Sequence, residues 1–256
     1  MLNFDEIRKY WDDRAAGDST VQSTTQDLFL RQIELSALIE RVSKFSPQRV
    51  ADVGSGDGRT TIGLARTFAA IQFSGFDYSA AMVDNSRKVL AAEELANVGF
   101  EQLDICDGLS GSFDLIYTTR CLINLPSWEL QQKAIQNIHQ ALSPSGIYVM
   151  IENFVEGHEN FNRVRRQFEL SEIPIRQHNY YFERQRLFDF ANDMFLVSDE
   201  VNISSMYYLV SRVVYSRICS DQGVQPDYFD PHHRFAAELP FCGEFGPARL
   251  ICFQKK

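Results

Sequence analysis

The chain has 256 residues, 45% of them apolar and 23% charged, with a formal net charge of −9. That length fits one large domain or one core with an appended subdomain, and the composition excludes a disordered, collagen-like or solenoid chain. The negative balance argues against a surface that wraps nucleic acid, which needs a concentrated positive field.

The first residues, MLNFDEIRKYWDDRAAG, show no basic start followed by an apolar run, so no secretory signal is expected. No stretch approaches the ~18 consecutive apolar residues of a membrane-spanning helix, so no membrane association is expected. Residues 1–48 read as helical. Leu28, Leu35, Leu38, Ile39, Val42 and Phe45 recur at helical spacing, and the pattern stops at Ser46-Pro47. From 49 to 154 short apolar runs alternate with helical patterns. The runs are Arg49–Val53, Ile71–Phe76, Val98–Leu103, Phe113–Tyr117 and Gly146–Phe154, with helices expected near 58–69, 79–96 and 127–142. In the last of these Leu130, Ala134, Ile135, Ile138, Ala141 and Leu142 form one stripe, closed by Pro144 and Gly146. Alternation at this pitch predicts a parallel sheet covered on both faces. Residues 155–194 are rich in Arg, Glu and aromatics and read as helix plus loop. Phe195–Ser204 reads as a strand, Ser205–Cys219 as a helix, 221–231 as a loop and Ala248–Phe253 as a final strand.

The five cysteines, Cys106, Cys121, Cys219, Cys242 and Cys252, are odd in number and none has CxxC spacing. Neither a metal site nor a disulfide framework is expected, and reduced thiols in a cytoplasmic protein are the simpler reading.

The segment VADVGSGDGRTT is the most informative. An apolar strand ends at Asp52 and runs into Gly54, Ser55, Gly56, Asp57 and Gly58, after which a helix starts. Glycines there let the backbone turn tightly and let a ligand approach main-chain atoms. No Lys-Ser/Thr follows, which excludes a Walker loop. The second strand ends at Asp77, where a carboxylate can accept two bonds from a ribose diol, and the third ends at Asp104. Any one of these acids is an ordinary helix cap, but three on successive strand ends mark the ligand-binding edge of an open parallel sheet.

With VADVGSGDG, GFDYSAAM, QLDICD, FDLIYTTRCLINL and ALSPSGIYVMIEN in succession, residues 48–154 resemble the class I S-adenosylmethionine (SAM)-dependent methyltransferases. An NAD-binding loop fits less well, because GxGxxG fails at Arg59. The resemblance implies an α/β three-layer sandwich: a seven-stranded, mostly parallel Rossmann-like sheet with an antiparallel final strand, plus helical lid elements. It implies one methyltransferase domain over 1–256, with an N-terminal helical lid (1–47), a SAM-binding core (48–154), a substrate-lid insertion (155–194) and closing strands (195–256). It further implies that Gly54, Ser55 and Gly56, following Asp52, pass under the methionine part of SAM. Asp77 would hold the ribose hydroxyls, with Tyr78 beside it and Met82 against the adenine. Asp104 would meet the adenine amino group, Ile105 would pack beside the ring, and Thr119 or Arg120 would line the cofactor. In the N-terminal segment, Trp11, Thr25 (within residues 23–27) and Arg31 are the lid residues over SAM, Arg31 as a partner for the methionine carboxylate.

Methyl transfer from a sulfonium needs alignment and exclusion of water, and an aliphatic hydroxyl also needs a base. Among the five histidines His178 is the candidate base, in a cluster with Arg176, Asn179, Tyr180 and Tyr181, while His139 is expected to face solvent and His158 to lie in a loop. Glu152 and Asn153 end the fifth strand and are expected to face the same cleft, Glu152 as a second catalytic group. Asn153, Arg176, Asn179, Tyr181 and Tyr208 are the expected substrate contacts. Residues 155–254 contain ten arginines and no lysine, suited to an acidic acceptor or to ordinary ion pairs on exposed helices. The segment TTRCLINLPS lacks the NPPY or DPPY of nucleic-acid amino-methylating enzymes. The expected activity is methylation of an oxygen, or a nitrogen, of a small molecule such as a sugar or natural-product intermediate, in a possible homodimer. Binding of SAM without catalysis and other chemistry on a SAM derivative stay open as alternatives.

Overall fold

The computed structural model describes residues 2–17, 20 and 24–256. Ser23 of the expected lid segment lies outside them. Seven strands run β1 (Arg49–Val53), β2 (Gln72–Asp77), β3 (Val98–Gln102), β4 (Phe113–Thr119), β5 (Leu142–Asn153), β6 (Phe195–Asn202) and β7 (Ala248–Lys255). They form one sheet in the order β3-β2-β1-β4-β5-β7-β6. Only β7 is antiparallel to its neighbours, pairing with β5 and β6. The expected architecture therefore holds, with the reversal at the final strand.

Helices α1 (Phe4–Gly17) and α2 (Leu28–Phe45) precede the sheet, and α3 (Arg59–Thr67), α4 (Ala80–Ala91) and α5 (Trp128–Ala141) connect its first strands. Asp27 caps α2 by accepting from Leu30 N at 3.0 Å, and Ser46 ends it in a left-handed conformation ahead of Pro47. Ser79 and Ser127 cap α4 and α5 in the same way. These local stops explain why the helix ends were readable from the sequence.

Strand alternation divides the core in two. Ala51, Ile116, Tyr148, Met150 and Phe253 face α5, whereas Val50, Leu115, Tyr117, Val149, Ile151 and Cys252 face α2 and α3. Beyond β5 come α6 (Val155–Gln167), α7 (Arg184–Ala191) and α10 (Pro231–Ala237). The helix expected over 205–219 is interrupted: α8 (Ser205–Tyr208) and α9 (Tyr215–Gln222) flank a π-helical stretch, Leu209–Val214.

The segment between α6 and α7 is pinned to the sheet edge. Phe182 N donates to Asn153 O at 3.0 Å, Val155 N to Phe182 O at 2.9 Å and Tyr180 N to Ile123 O at 2.6 Å. Gln131 Nε2 adds a bond to Tyr180 O at 2.9 Å. These bonds carry residues 178–181 to the carboxyl end of β5. Among the described residues no helix is long and apolar enough to cross a membrane.

Candidate active site

Gly54 and Ser55 turn the chain out of β1, donating their N–H groups to Phe76 O at 2.7 and 2.9 Å. Gly54 has φ +79°, and a Cβ on it would stand 2.2 Å from Cys121 Sγ. Only glycine satisfies both the conformation and the contact. Gly54→Ala is expected to cost about 2–4 kcal/mol through strain and overlap. That is about 5–15 °C of Tm in a domain of this size, read by thermal denaturation. An unchanged Tm would show that the loop does not pack on Cys121.

Asp77, at the end of β2, ties this loop to α4: its Oδ2 accepts from Gly56 N and its Oδ1 from Ser79 N, both at 2.9 Å. Burial pushes its pKa up to about 6 against those two bonds. Asp52 is also buried, accepts from Thr61 Oγ1 at 2.5 Å and Tyr117 OH at 2.8 Å, and is raised to about 7 by burial.

A cavity of about 350 Å³ opens at the carboxyl edge of the sheet. On one side Asp52, Gly54, Ser55, Gly56, Asp77 and Met82 line it, with Tyr78, Thr119 and Arg120. Trp11 and Thr25 reach it from the N-terminal segment, and Trp11 Nε1 donates to Asn124 Oδ1 at 3.2 Å. Asn153, Arg176, His178, Asn179, Tyr181 and Tyr208 line it as well. The rings of His178 and Tyr10 stack at 4.5 Å, with Trp11 edge-on at 5.8 Å. Burial, then Arg176 and Arg14, lowers the His178 pKa, so the imidazole is neutral at pH 7.

Several sequence expectations need correction. Glu152 does not reach the cavity. It is fully buried, and its carboxylate accepts the backbone N–H groups of Cys121, Leu122 and Ile123 at 3.1, 2.9 and 3.3 Å. Adjacent strand residues point to opposite faces, so Glu152 and Asn153 cannot share one cleft. Asp104 and Ile105 also lie outside the cavity wall. Arg8 of α1 pairs with Asp104 Oδ2 at 2.6 Å, Cys106 N bonds its Oδ1 at 2.9 Å, and Ile105 is buried in the core. Arg31 lines the cavity but is held in an ion pair by Asp57, and Arg120 by Glu34 at 2.7 Å. His158 lies in α6, buried, with its Nε2 3.2 Å from Asn162 Nδ2, and His139 is half-buried edge-on to Phe195.

Most of the late arginines form ion pairs: Arg166 with Glu172, Arg184 with Glu200, Arg217 with Asp221, and Arg249 with Glu200. Only Arg176 and Arg212 of that set line the cavity. Sequence reasoning missed Glu34, Arg212 and Tyr228, which also line it, as do Tyr10 and Asp27 of the expected N-terminal lid. The helical phase of Glu34 on the apolar face of α2 was a readable signal. Arg212 had none, because a π-helical turn changes the phase of everything after it.

Four buried polar atoms in residues of this wall have no hydrogen-bond partner: Ser55 Oγ, Tyr78 OH, Thr119 Oγ1 and Asn153 Oδ1. Unpartnered buried atoms are rare and costly, and four around one cavity suit a ligand dense in donors and acceptors. No group of three or more His, Cys, Asp or Glu among the described residues could hold a metal ion.

Comparison with known proteins gives concordant results. The family model for the methyltransferase domain matches residues 44–192. The chain is 37% identical over 99 residues to a trans-aconitate 2-methyltransferase of Deinococcus radiodurans, covering 39% of this chain and 35% of that one. It is 24% identical over 169 residues to the O-methyltransferase resE of Aspergillus sclerotiorum, covering 64% of this chain and 60% of that one. The chain thus matches only 35% and 60% of the length of these curated relatives. The magnesium protoporphyrin IX methyltransferase ChlM of Synechocystis, crystallised with S-adenosyl-L-homocysteine (SAH), superposes with a TM-score of 0.63 at 15% identity. That superposition covers 98% of this chain and 99% of the other, and shows a shared fold.

Proposed function

The chain belongs to the class I SAM-dependent methyltransferases, and from that premise we propose that it transfers the methyl group of SAM to an oxygen of a small molecule. The observation that carries this is the cavity itself. Its wall joins the glycine loop and Asp77 to four unpartnered polar atoms and a neutral imidazole.

Gly54, Ser55 and Gly56 would take the amino-acid end of the cofactor, with Asp77 on its ribose diol and Tyr78 and Met82 on its base. Thr25, Thr119 and Trp11 would close around it, with Arg31 and Arg120 on the same wall. Bound SAM would supply an electrophilic methyl group on its sulfonium, with neutral SAH as the leaving group. The protein aligns the acceptor and excludes water, in a site walled by Tyr10, Trp11, Tyr181 and Tyr208. His178 accepts the hydroxyl proton as the acceptor oxygen forms its new bond. Oxygen is favoured over nitrogen because a neutral, buried base is what a hydroxyl requires and an amine does not. The O-methyltransferase resE among the relatives points the same way.

Incubation with methyl-labelled SAM and paired hydroxyl and amine acceptors tests the assignment. Label on the hydroxyl series supports it. SAH binding with no label transferred to either series would instead favour a SAM-binding protein without catalysis.

The active form of His178 is the neutral imidazole, and its pKa lies below the ordinary 6.5. With cofactor saturating, kcat is therefore expected to stay flat from pH 8 down past 6.5 and to fall only below that. His178→Gln should lower kcat about 100-fold or more and remove the acid limb. Unchanged kcat in that variant, with SAH still bound, would remove His178 from the mechanism.

A further inference from the structure

We propose that the acceptor carries a single carboxylate and that Arg212, together with Arg176, forms the subsite that binds it. This rests on the methyl-transfer reading and adds the chemical class of the acceptor.

Arg120, Arg176 and Arg212 line the same cavity as Tyr181 and Tyr208. Two carboxylates stand with them: Glu34 pairs with Arg120, and Asp27 pairs with Arg212. Of these three guanidinium groups only that of Arg176 has no carboxylate partner among the described residues. His158 and His178, the histidines on this wall, are both shifted toward the neutral form by burial, so they add no positive charge. One carboxylate would supply the counter-charge that the Arg176 guanidinium lacks. A dianion would overload a buried region that already holds Asp27 and Glu34.

Arg212 is built to be the anchor. It sits on the π-helical stretch Leu209–Val214, and such interruptions are frequent at functional sites. Its guanidinium lies 5.3 Å from the Tyr208 ring centre and 4.4 Å from that of Tyr228, and one nitrogen donates to Asp27. Asp27 is itself fixed by Tyr207 OH at 2.6 Å and Leu30 N at 3.0 Å. The planar fork is thus held rigid on the cavity wall with donors left for a planar, two-oxygen ligand. The unpartnered Asn153 Oδ1 on the same wall offers an acceptor for a hydroxyl of that ligand.

The test is calorimetric titration of protein saturated with SAH. The probes are 4-hydroxybenzoate and valerate, their neutral isosteres 4-hydroxybenzamide and valeramide, and the dianion 4-hydroxyphenylphosphonate. Each acid is expected to bind at least tenfold more tightly than its amide, and benzoate more tightly than phosphonate. Arg212→Gln and Arg176→Gln should each reduce the acid–amide ratio about tenfold. Because Arg212→Gln leaves Asp27 unpaired and can unfold the chain, the exposed Arg176→Gln keeps the subsite testable, with thermal denaturation as the folding check. Amides binding as tightly as acids overturns the proposal. So does SAH binding without measurable acid binding, or an acid preference that survives both substitutions. Phosphonate binding more tightly than benzoate overturns the single-charge assignment. Failure of SAH itself to bind is read separately in the first titration and overturns the methyl-transfer reading along with this one.

Discussion

Asp77→Ala is expected to weaken SAH binding by about a hundredfold or more while leaving a folded protein. Two hydrogen bonds from ribose hydroxyls to an ionised carboxylate are each worth about 1.5–3 kcal/mol, and the change also frees Gly56 N and Ser79 N from their acceptor. Asp77→Asn keeps one oxygen and should lose less. Calorimetric titration with SAH decides the matter: affinity within threefold of the native value in the alanine variant would show that Asp77 does not hold the ribose. The pH dependence supplies a second check with an unusual sign. Burial raises the folded pKa to about 6, above the unfolded 3.8. The group's contribution to folding is therefore fully present below about pH 4 and is lost as pH rises through 6. Asp52, raised from 3.8 to about 7, behaves alike, as does Glu152, raised from 4.5 to about 7. Without cofactor, these three groups should favour folding as pH falls from 8 to 6, and Asp52→Asn should flatten that dependence in thermal denaturation. SAH affinity should move the other way, falling as Asp77 takes up its proton.

Glu152→Ala should be the most destabilising single change near the site. The substitution strands the N–H groups of Cys121, Leu122 and Ile123, of which the last two are fully enclosed. Removing a buried carboxylate and its three donors' acceptor costs about 3–5 kcal/mol. That corresponds to about 10 °C of Tm or more in a domain of this size. Glu152→Gln retains an acceptor oxygen and should recover most of the loss. Thermal denaturation of both variants tests this. An alanine variant with native Tm but no turnover would instead mark Glu152 as catalytic. The residue matters to function by holding the turn Leu122–Asn124, whose Asn124 meets Trp11 and whose Cys121 neighbour packs under Gly54.

Glu152 also shows where reading the chain residue by residue falls short. Its place at the end of β5 is evident from the apolar run before it, but its direction depends on strand parity. Parity sends Asn153 into the cavity and Glu152 away from it. Asp104 was expected in the cavity because it ends β3, as Asp77 ends β2. The difference between them is Arg8, which reaches Asp104 from a helix 96 residues earlier in the chain. Arg31 was legible as a cation near the glycine loop, yet its partner Asp57, 26 residues on, was not. Arg212, a central element of the acceptor side, depends on a π-helical turn that no 3.6-residue pattern contains.

The sequence by itself determined the strand–helix alternation, the helix caps, the glycine turn and the acid at the end of β2. These are local properties: periodicity, φ preference and capping act over a few neighbouring residues and survive into any fold that uses them. Only the tertiary structure decided which side chains share the cavity, which charges are already neutralised, and how residues 178–181 come to lie beside Asn153. Those outcomes depend on ion pairs and backbone bonds between segments far apart in the chain, and their partners are chosen by packing rather than by spacing.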